Sequence, residues 1–542
     1  MTWRGALETL RERPYGAFLV LAAAAGGLRT QAAWFAFAVI FLAWASRPGR
    51  RYSSGGSVWP ALFFCWLAAS AVFSPDPAAS LSAFGRYAVL GLAFFAAAAS
   101  PDGRRGWLAA VHGVGAAAAA GMLFQHFTGI GGGGIIGSNP NYSAAFCAAA
   151  FPAALLSASE PGGRGRRLLY AGLALLLAWG IAVSGSRGAA LAGFLAAAGG
   201  LAYCRRWTWL AVIAGAAVAA AALLPADSVA GALKLRDPRA FQRPALWGAA
   251  LKAAAASPLL GWGPGLYGRV FELFKFPFFD GISYYGHGTL HAHSEPLNLA
   301  AEAGFPAALF FLLAAFSSLA RGAREDLPYR LAALAVLLQG SVDMIFYSGA
   351  VGLLFWGSLG FSLPRGGEAW AAGRRAVPAA LALLGCLALS AAAGLFGGAG
   401  RFRALSYDEA ARGRNPALAV ALLRDYAADN PYDPFPAEAE GRARLAAGDL
   451  RGAEGAFLRA LSLEPNFAAA RLGLAGVYAA AGRKADACRA AEAVPSRAPE
   501  AAISDYDKGL LAYDGALAKR LKTETCAKNA TGGATAPGRK TR

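Results

Sequence analysis

The sequence predicts an all-α protein: a polytopic membrane helical bundle of about 12–13 spans, followed by a C-terminal α-solenoid. Three observations carry this. Hydrophobic residues make up 56% of the 542 residues and charged ones only 15%, where a water-soluble domain carries about 25%. The apolar residues gather in helix-length runs separated by short arginine clusters. Beyond Gly398 the composition turns polar and a 34-residue period sets in. The net charge of +19 is divided among those clusters, so it reads as a topology signal and predicts no nucleic-acid partner.

A spanning helix needs roughly 17–25 apolar residues. Thirteen runs approach that length: Tyr15–Leu28, Gln31–Ala45, Val58–Phe73, Ala83–Ala99, Trp107–Phe127, Asn141–Ser157, Leu168–Val183, Gly188–Tyr203, Trp207–Leu224, Ser294–Leu319, Tyr329–Phe346, Ala350–Leu363 and Val377–Gly398. Only Arg29 and Thr30 separate the first two, which would equally suit one broken helix. The charged start MTWRGALETLRERP leads directly into the first run with no small-residue cleavage site, so that run is expected to stay in the membrane.

Loop charge sets the orientation. With the N-terminus inside, the inner segments carry Arg4, Arg11 and Arg13; Arg47, Arg50 and Arg51; Arg104 and Arg105; Arg164, Arg166 and Arg167; Arg205 and Arg206; Arg321 and Arg324; and Arg365, Arg374 and Arg375. The short outer loops carry only Arg29 and Arg187. This alternation supports thirteen spans and divides the chain into five parts. Residues 1–224 hold spans one to nine, 225–293 form a large outer loop, and 294–398 hold the remaining spans. Residues 399–521 form an outer repeat domain, and 522–542 a polar, disordered tail. The six cysteines lie far apart with no Cys-x-x-Cys, so neither a zinc site nor a disulfide framework is expected. Cys488 and Cys526 are the pair that could join if the tail lies outside.

The repeat is legible in Pro431, Pro465 and Pro499, and in Ala419, Ala453 and Ala487, each 34 residues apart. The unit GDLRGAEGAFLRALSLEPNF resembles a tetratricopeptide repeat: Gly448 turns between helices, Ala453 and Ala460 permit close packing, and Pro465 ends the second helix. About three units from Leu405 to Pro499 and a capping helix over Asp505–Leu521 follow. Such a solenoid would recruit a protein partner or serve as a docked appendix.

Polar and ionisable groups beside spans are functional hypotheses by default. Arg187 in VSGSRGAALAGF breaks the charge bias of the outer turns, which suits an anionic ligand or a snorkelling side chain. Arg243, Trp247 and Lys252 stand four and five residues apart, close to one face of a short helix that Pro258 ends. GWGPGLYG then makes a tight turn; its Gly263-x-Gly265-x-x-Gly268 mimics a dinucleotide fingerprint but follows no strand, so no nucleotide cofactor is expected. His287, His291 and His293 cluster at the entrance of span ten. They suit a divalent metal, a general base near neutral pH, or a plain polar loop; Glu295 is the one nearby carboxylate. Asn139 and Asn141 begin span six and could bond sugar hydroxyls, with helix capping accounting for one of them. His112, Gln125 and His126 lie on span five, and Asp343 near the outer end of span eleven is the better functional candidate.

Taken in order, NPN, SGSRGA, RPALWGAAL, SPLLGWGPGLYG and HAHSEPLNLAAEAGFPAALFF resemble the O-antigen ligase and Wzy polymerase superfamily over residues 15–363. The family commonly has His-Asn where this chain has His293-Ser294. The resemblance implies a metal-independent, inverting transferase without cofactor in the bacterial inner membrane, with its loop and repeats extracytoplasmic. The donor would be a glycan on undecaprenyl diphosphate. The acceptor would be lipid A–core, a growing glycan or a protein hydroxyl. Guanidinium groups suit a diphosphate through bidentate pairing, which nominates Arg187 and Arg243, then Arg269 or Lys252. A histidine with an ordinary pKa near 6.5 suits the deprotonation of the acceptor, which nominates His293, then His291. Trp247, Asn139 and Asn141 would meet sugar. Other classes are a transporter or flippase, which would show inverted repeats that this chain lacks before its repeat domain, and a membrane scaffold built around the repeats.

Overall fold

The computed structural model describes residues 14–131, 134–223, 242–364, 369–373, 376–396, 416–494 and 504–526. Arg4, Arg11, Arg13, Arg365, Arg374 and Arg375, the loop charges Lys234, Arg236, Asp237 and Arg239, and most of the predicted tail fall outside these residues. The chain forms two compact units. The first comprises 1–267 and 291–398, the second 268–290 and 399–542.

Each of the thirteen apolar runs of the first unit is helical. In chain order these are α1 (Tyr15–Ala24), α2 (Gln31–Ala45), α3 (Trp59–Val72), α4 (Pro77–Ala98), α5 (Arg104–Thr128), α6 (Pro140–Ser159), α7 (Arg164–Ser184), α8 (Arg187–Tyr203) and α9 (Trp207–Leu223). The short helices α10 (Arg243–Ala256) and α11 (Tyr267–Phe274) precede α12 (Glu295–Arg321), α13 (Leu327–Gly340), α14 (Gly349–Phe361) and α15 (Ala376–Phe396). Five of these, α4, α5, α6, α7 and α12, are long and apolar enough to cross a membrane. The first two runs are separate helices: a tight turn over Gly26–Leu28 breaks the chain, and Thr30 caps α2 by accepting from Ala33 N. The strands β1 (Arg51–Ser53) and β2 (Ala369–Ala371) pair antiparallel with Tyr52 opposite Trp370.

Helix α6 forms the centre, buried along nearly its whole length and packed by α5, α7, α8 and α13. Its alanines explain this, because small side chains let neighbouring backbones approach closely where lipid supplies no hydrophobic drive. Elsewhere in the bundle, Phe63, Phe94, Phe311, Phe355 and Trp356 meet in stacked, tilted and edge-on pairs. At one end, Arg104 donates to Asp326 and to the Leu363 carbonyl, each at 2.6 Å, in a fully buried ion pair. Loss of one partner from such a pair costs about 3–5 kcal/mol.

The second unit contains the helical repeats α16 (Pro416–Asp429), α17 (Phe435–Ala446), α18 (Leu450–Leu463), α19 (Ala468–Ala480) and α20 (Lys484–Glu492). The capping element is two helices, α21 (Asp505–Leu511) and α22 (Gly515–Cys526), where the sequence suggested one. Phe457 is wholly buried between α17 and α19; a Cβ at Gly441 or Gly473 would meet its ring at 2.7 and 2.4 Å. One sequence expectation is corrected here. Cys488 and Cys526 form a disulfide, because α22 folds back onto α19 and α20 and brings residues 38 apart in sequence to a Cα separation of 5.1 Å. Helix α22 therefore runs five residues past the predicted start of the disordered tail.

This unit also holds a piece of the large loop. Glu464, fully buried, accepts the backbone N–H groups of Tyr284 at 2.9 Å and Tyr285 at 2.6 Å, and the Tyr506 hydroxyl at 3.1 Å. Asn466 donates to the Ile282 carbonyl, and the Tyr285 ring stacks on Tyr432. Burial raises the Glu464 pKa above the usual carboxylate range, and the N–H groups that it accepts pull it back. The repeat surface at Glu464 is thus occupied by the protein's own chain.

Candidate active site

The glycine turn and the histidine segment come together through a broken helix. Gly304, at φ +81°, interrupts α12 just before Pro306, which frees the carbonyls of the preceding turn. The turn at residues 258–263 and α3 take up those groups. Trp262 N donates to Ala301 O at 3.1 Å, Gly263 N to Glu302 O at 2.6 Å, and Trp66 Nε1 to Ala303 O at 3.1 Å. In return, Phe305 N donates to Pro258 O at 2.9 Å. The approach is so close that a Cβ on Gly304 would lie 1.9 Å from the Leu259 carbonyl, and one on Gly261 2.3 Å from the Glu302 backbone. The Glu302 side chain accepts from Tyr267 N, and the Asn298 side chain accepts from Ala292 N at 3.1 Å. The first turns of α12 therefore hold both arms of the loop.

Asp343 is the centre of the charged set. It lies in the turn after α13, is 1% exposed, and holds its own turn by accepting from Met344 N. Its Oδ1 faces His293 Nδ1 at 3.8 Å and its Oδ2 faces Arg243 Nη2 at 3.7 Å. Gly188, next to Arg187, meets the same carboxylate: its Cβ position is 3.9 Å from Oδ2. The sequence placed Asp343 inside span eleven and left its partner unnamed. The helix stops at Gly340, which turns the carboxylate toward Arg243 and His293.

His293 itself has φ +54°, a left-handed conformation that costs a non-glycine residue about 1–3 kcal/mol. Trp247 Nε1 donates to its carbonyl at 3.3 Å and helps hold it there. With Nδ1 turned to the carboxylate, Nε2 is the nitrogen left to accept a proton, the arrangement of a carboxylate-oriented general base. The 3.8 Å contact is longer than a hydrogen bond, so the pair interacts through charge and orientation. His291 is different. Its ring lies 4.5 Å from Tyr347, and burial pushes its pKa down to about 4, with His293 adding to the drop and Asn298 opposing it.

The remaining predicted residues divide. Asn139 is the N-cap of α6, its side chain accepting from Asn141 N at 2.9 Å; the Asn141 carbonyl accepts from Gln339. Lys252 is exposed, because a fifth residue along α10 has turned away from the face of Arg243 and Trp247. Arg269 and His287 belong to the second unit. His287 packs among Phe271, Phe276 and Phe278, and burial there also lowers its pKa to about 4. Two residues escaped sequence reasoning. Arg86 lies inside α4, where one charge vanishes into an apolar average, and Arg29 was counted only as a loop charge.

A histidine, an aspartate and arginines gathered at helix ends inside an apolar all-α bundle define a membrane protein with a charged site. Residues 172–312 match the O-antigen ligase family, and residues 444–506 match a tetratricopeptide repeat. Both agree with the resemblance seen in the sequence. The first match spans α7 to α12 and contains Arg187, Arg243, His291 and His293. It supports a multi-pass membrane protein of the bacterial kind whose enzyme class acts on glycans, as ligases and polymerases do. No curated protein matches the chain.

Proposed function

We propose that the protein transfers a glycan from undecaprenyl diphosphate to an acceptor hydroxyl at the outer face of the bacterial inner membrane, as an O-antigen ligase does. The observation that carries this reading is the contact of Asp343 with both His293 and Arg243, within and beside the segment that matches the ligase family. His293 Nε2 takes the proton of the acceptor hydroxyl as its oxygen attacks the anomeric carbon. The bond to the diphosphate breaks on the opposite face, so one displacement inverts the configuration. Asp343 orients the ring and stabilises the imidazolium. Arg187 and Arg243 balance the charge of the departing diphosphate, a role for which guanidinium groups suffice without a metal. Trp247, Asn139 and Asn141 stand as sugar contacts.

The layout that this reading requires has a cytoplasmic N-terminus, with the 225–293 loop and the repeats extracytoplasmic. The Cys488–Cys526 disulfide supports it, since such bonds persist in oxidising compartments. The polymerase and the protein oligosaccharyltransferase use the same donor chemistry. Because the repeat surface at Glu464 holds the protein's own loop, it favours no protein acceptor.

Glycan analysis of a deletion strain tests the reading. Loss of surface polymer from a full-length core is the expected result. Single-unit caps would mean a polymerase, unmodified protein an oligosaccharyltransferase, and unchanged glycans would refute transfer altogether.

A further inference from the structure

The turn that carries Asp343 ends four residues on, at Tyr347. Two arginines approach this tyrosine. Arg29 stands 5.4 Å from the Tyr347 ring centroid and 5.5 Å from that of Tyr142. Arg86 lies one turn before Leu90 on α4, and a Cβ on Gly352 of α14 would meet Leu90 at 2.9 Å, so Arg86 faces the start of α14, where Tyr347 lies; the Tyr347 and Tyr87 phenols are its electrostatic neighbours. The His291 ring closes the same tyrosine from a third direction.

Neither arginine has a carboxylate. Arg104 has Asp326 and Arg243 has Asp343, but among the described residues Arg29 bonds only the Ser138 hydroxyl and Arg86 makes no hydrogen bond or ion pair. The Nε atoms of both are buried without a partner. Arg86 is the stronger case. It lies nine residues into a 22-residue apolar helix, about 14 Å from its start at the ordinary helical rise. A guanidinium at that depth is costly, and such residues persist where they pair with a counter-charge or a ligand. Among the described residues none supplies that counter-charge.

We propose that Arg29 and Arg86 form a second oxyanion site, separate from the Arg187–Arg243 pair, that receives a phosphate or carboxylate of the substrate across the face of Tyr347. Two guanidinium forks present only donors and the phenol hydroxyl can add one more, which fits a multi-oxygen anion. The group comes either from the donor diphosphate or from an acidic substituent of the acceptor. The site rests on the transferase reading for the identity of its ligand, while its charge imbalance stands without it.

The test uses the purified full-length chain in detergent with inorganic pyrophosphate and farnesyl diphosphate as probes, read as ligand-induced thermal shifts and as binding constants. Arg29→Gln and Arg86→Gln are compared with wild type. In the absence of anion, each variant should melt no lower than wild type, because a half-buried charge without a carboxylate partner has been removed. A structural arginine would lower the melting temperature instead. With probe, binding should weaken about tenfold to a hundredfold, the scale of a lost charge-assisted hydrogen bond. Should probe binding hold while the KM for acceptor rises by that factor, the anion is the acceptor's and the site stands. Variants that melt lower, or that change neither probe binding nor acceptor KM, overturn it. His293→Ala, run in parallel, should lose transfer and keep the pyrophosphate response. If it still transfers, the proposed reaction fails while the anion site survives.

Discussion

At the scale of residues, the two histidines of HAHSEP have different surroundings. His293 reaches Asp343; His291 is buried against Tyr347 with a pKa near 4. Since that value lies below the unfolded value of about 6.5, the folded state resists protonation of His291. Its contribution to stability is full above about pH 6.5 and declines as the pH falls toward 4. His291→Gln is therefore expected to leave the acid limb of the pH–activity profile in place between pH 5 and 8, and to flatten the loss of melting temperature on acidification. A shift of that limb by a full unit would make His291 the base. Much of this set was visible in the sequence, because Arg187, Arg243 and the histidines stand out against apolar surroundings. What escaped was pairing across distance. The meeting of Asp343 with Arg243 and His293 requires three segments to converge, and nothing local in any of them announces the others.

At the scale of elements, the sequence read helices well and their interruptions poorly. The thirteen runs are helices because apolar length and small residues suffice to specify them. The break in α12 was hidden because EAGFP continues an apolar run, and a single glycine before a proline does not reveal which carbonyls it frees. That break is what binds the glycine turn to the histidine segment. Gly304→Ala should accordingly cost about 3 kcal/mol or more, from the left-handed backbone and the collision with Leu259 O together. The exposed Gly199 on α8, which has open space around its Cβ position, is the control, and alanine there should be neutral or mildly stabilising. Melting curves of the two detergent-solubilised variants decide this. Equal stability would mean that the turn does not depend on the close approach. The repeats show the same lesson. Their period was plain, but the occupation of Glu464 by Tyr284 and Tyr285 depends on backbone N–H groups, which carry no side-chain signature.

At the scale of the whole molecule, two readings of the chemistry meet in one segment. The match to the O-antigen ligase family covers α7 to α12, while Asp343, Tyr347 and Arg29 lie outside it in turns between helices, and Arg86 lies outside it on α4. The proposed reaction moves a glycan with His293 as base, oriented by Asp343. Its most direct test is release of undecaprenyl diphosphate from a lipid-linked glycan by the reconstituted full-length protein, with an acceptor present. The wild type should release it. His293→Ala should fall by about 10²–10⁴-fold, the usual contribution of a general base, at unchanged melting temperature. Asp343→Asn should also lose turnover while still binding the donor. Transfer by His293→Ala at the wild-type rate would contradict the account.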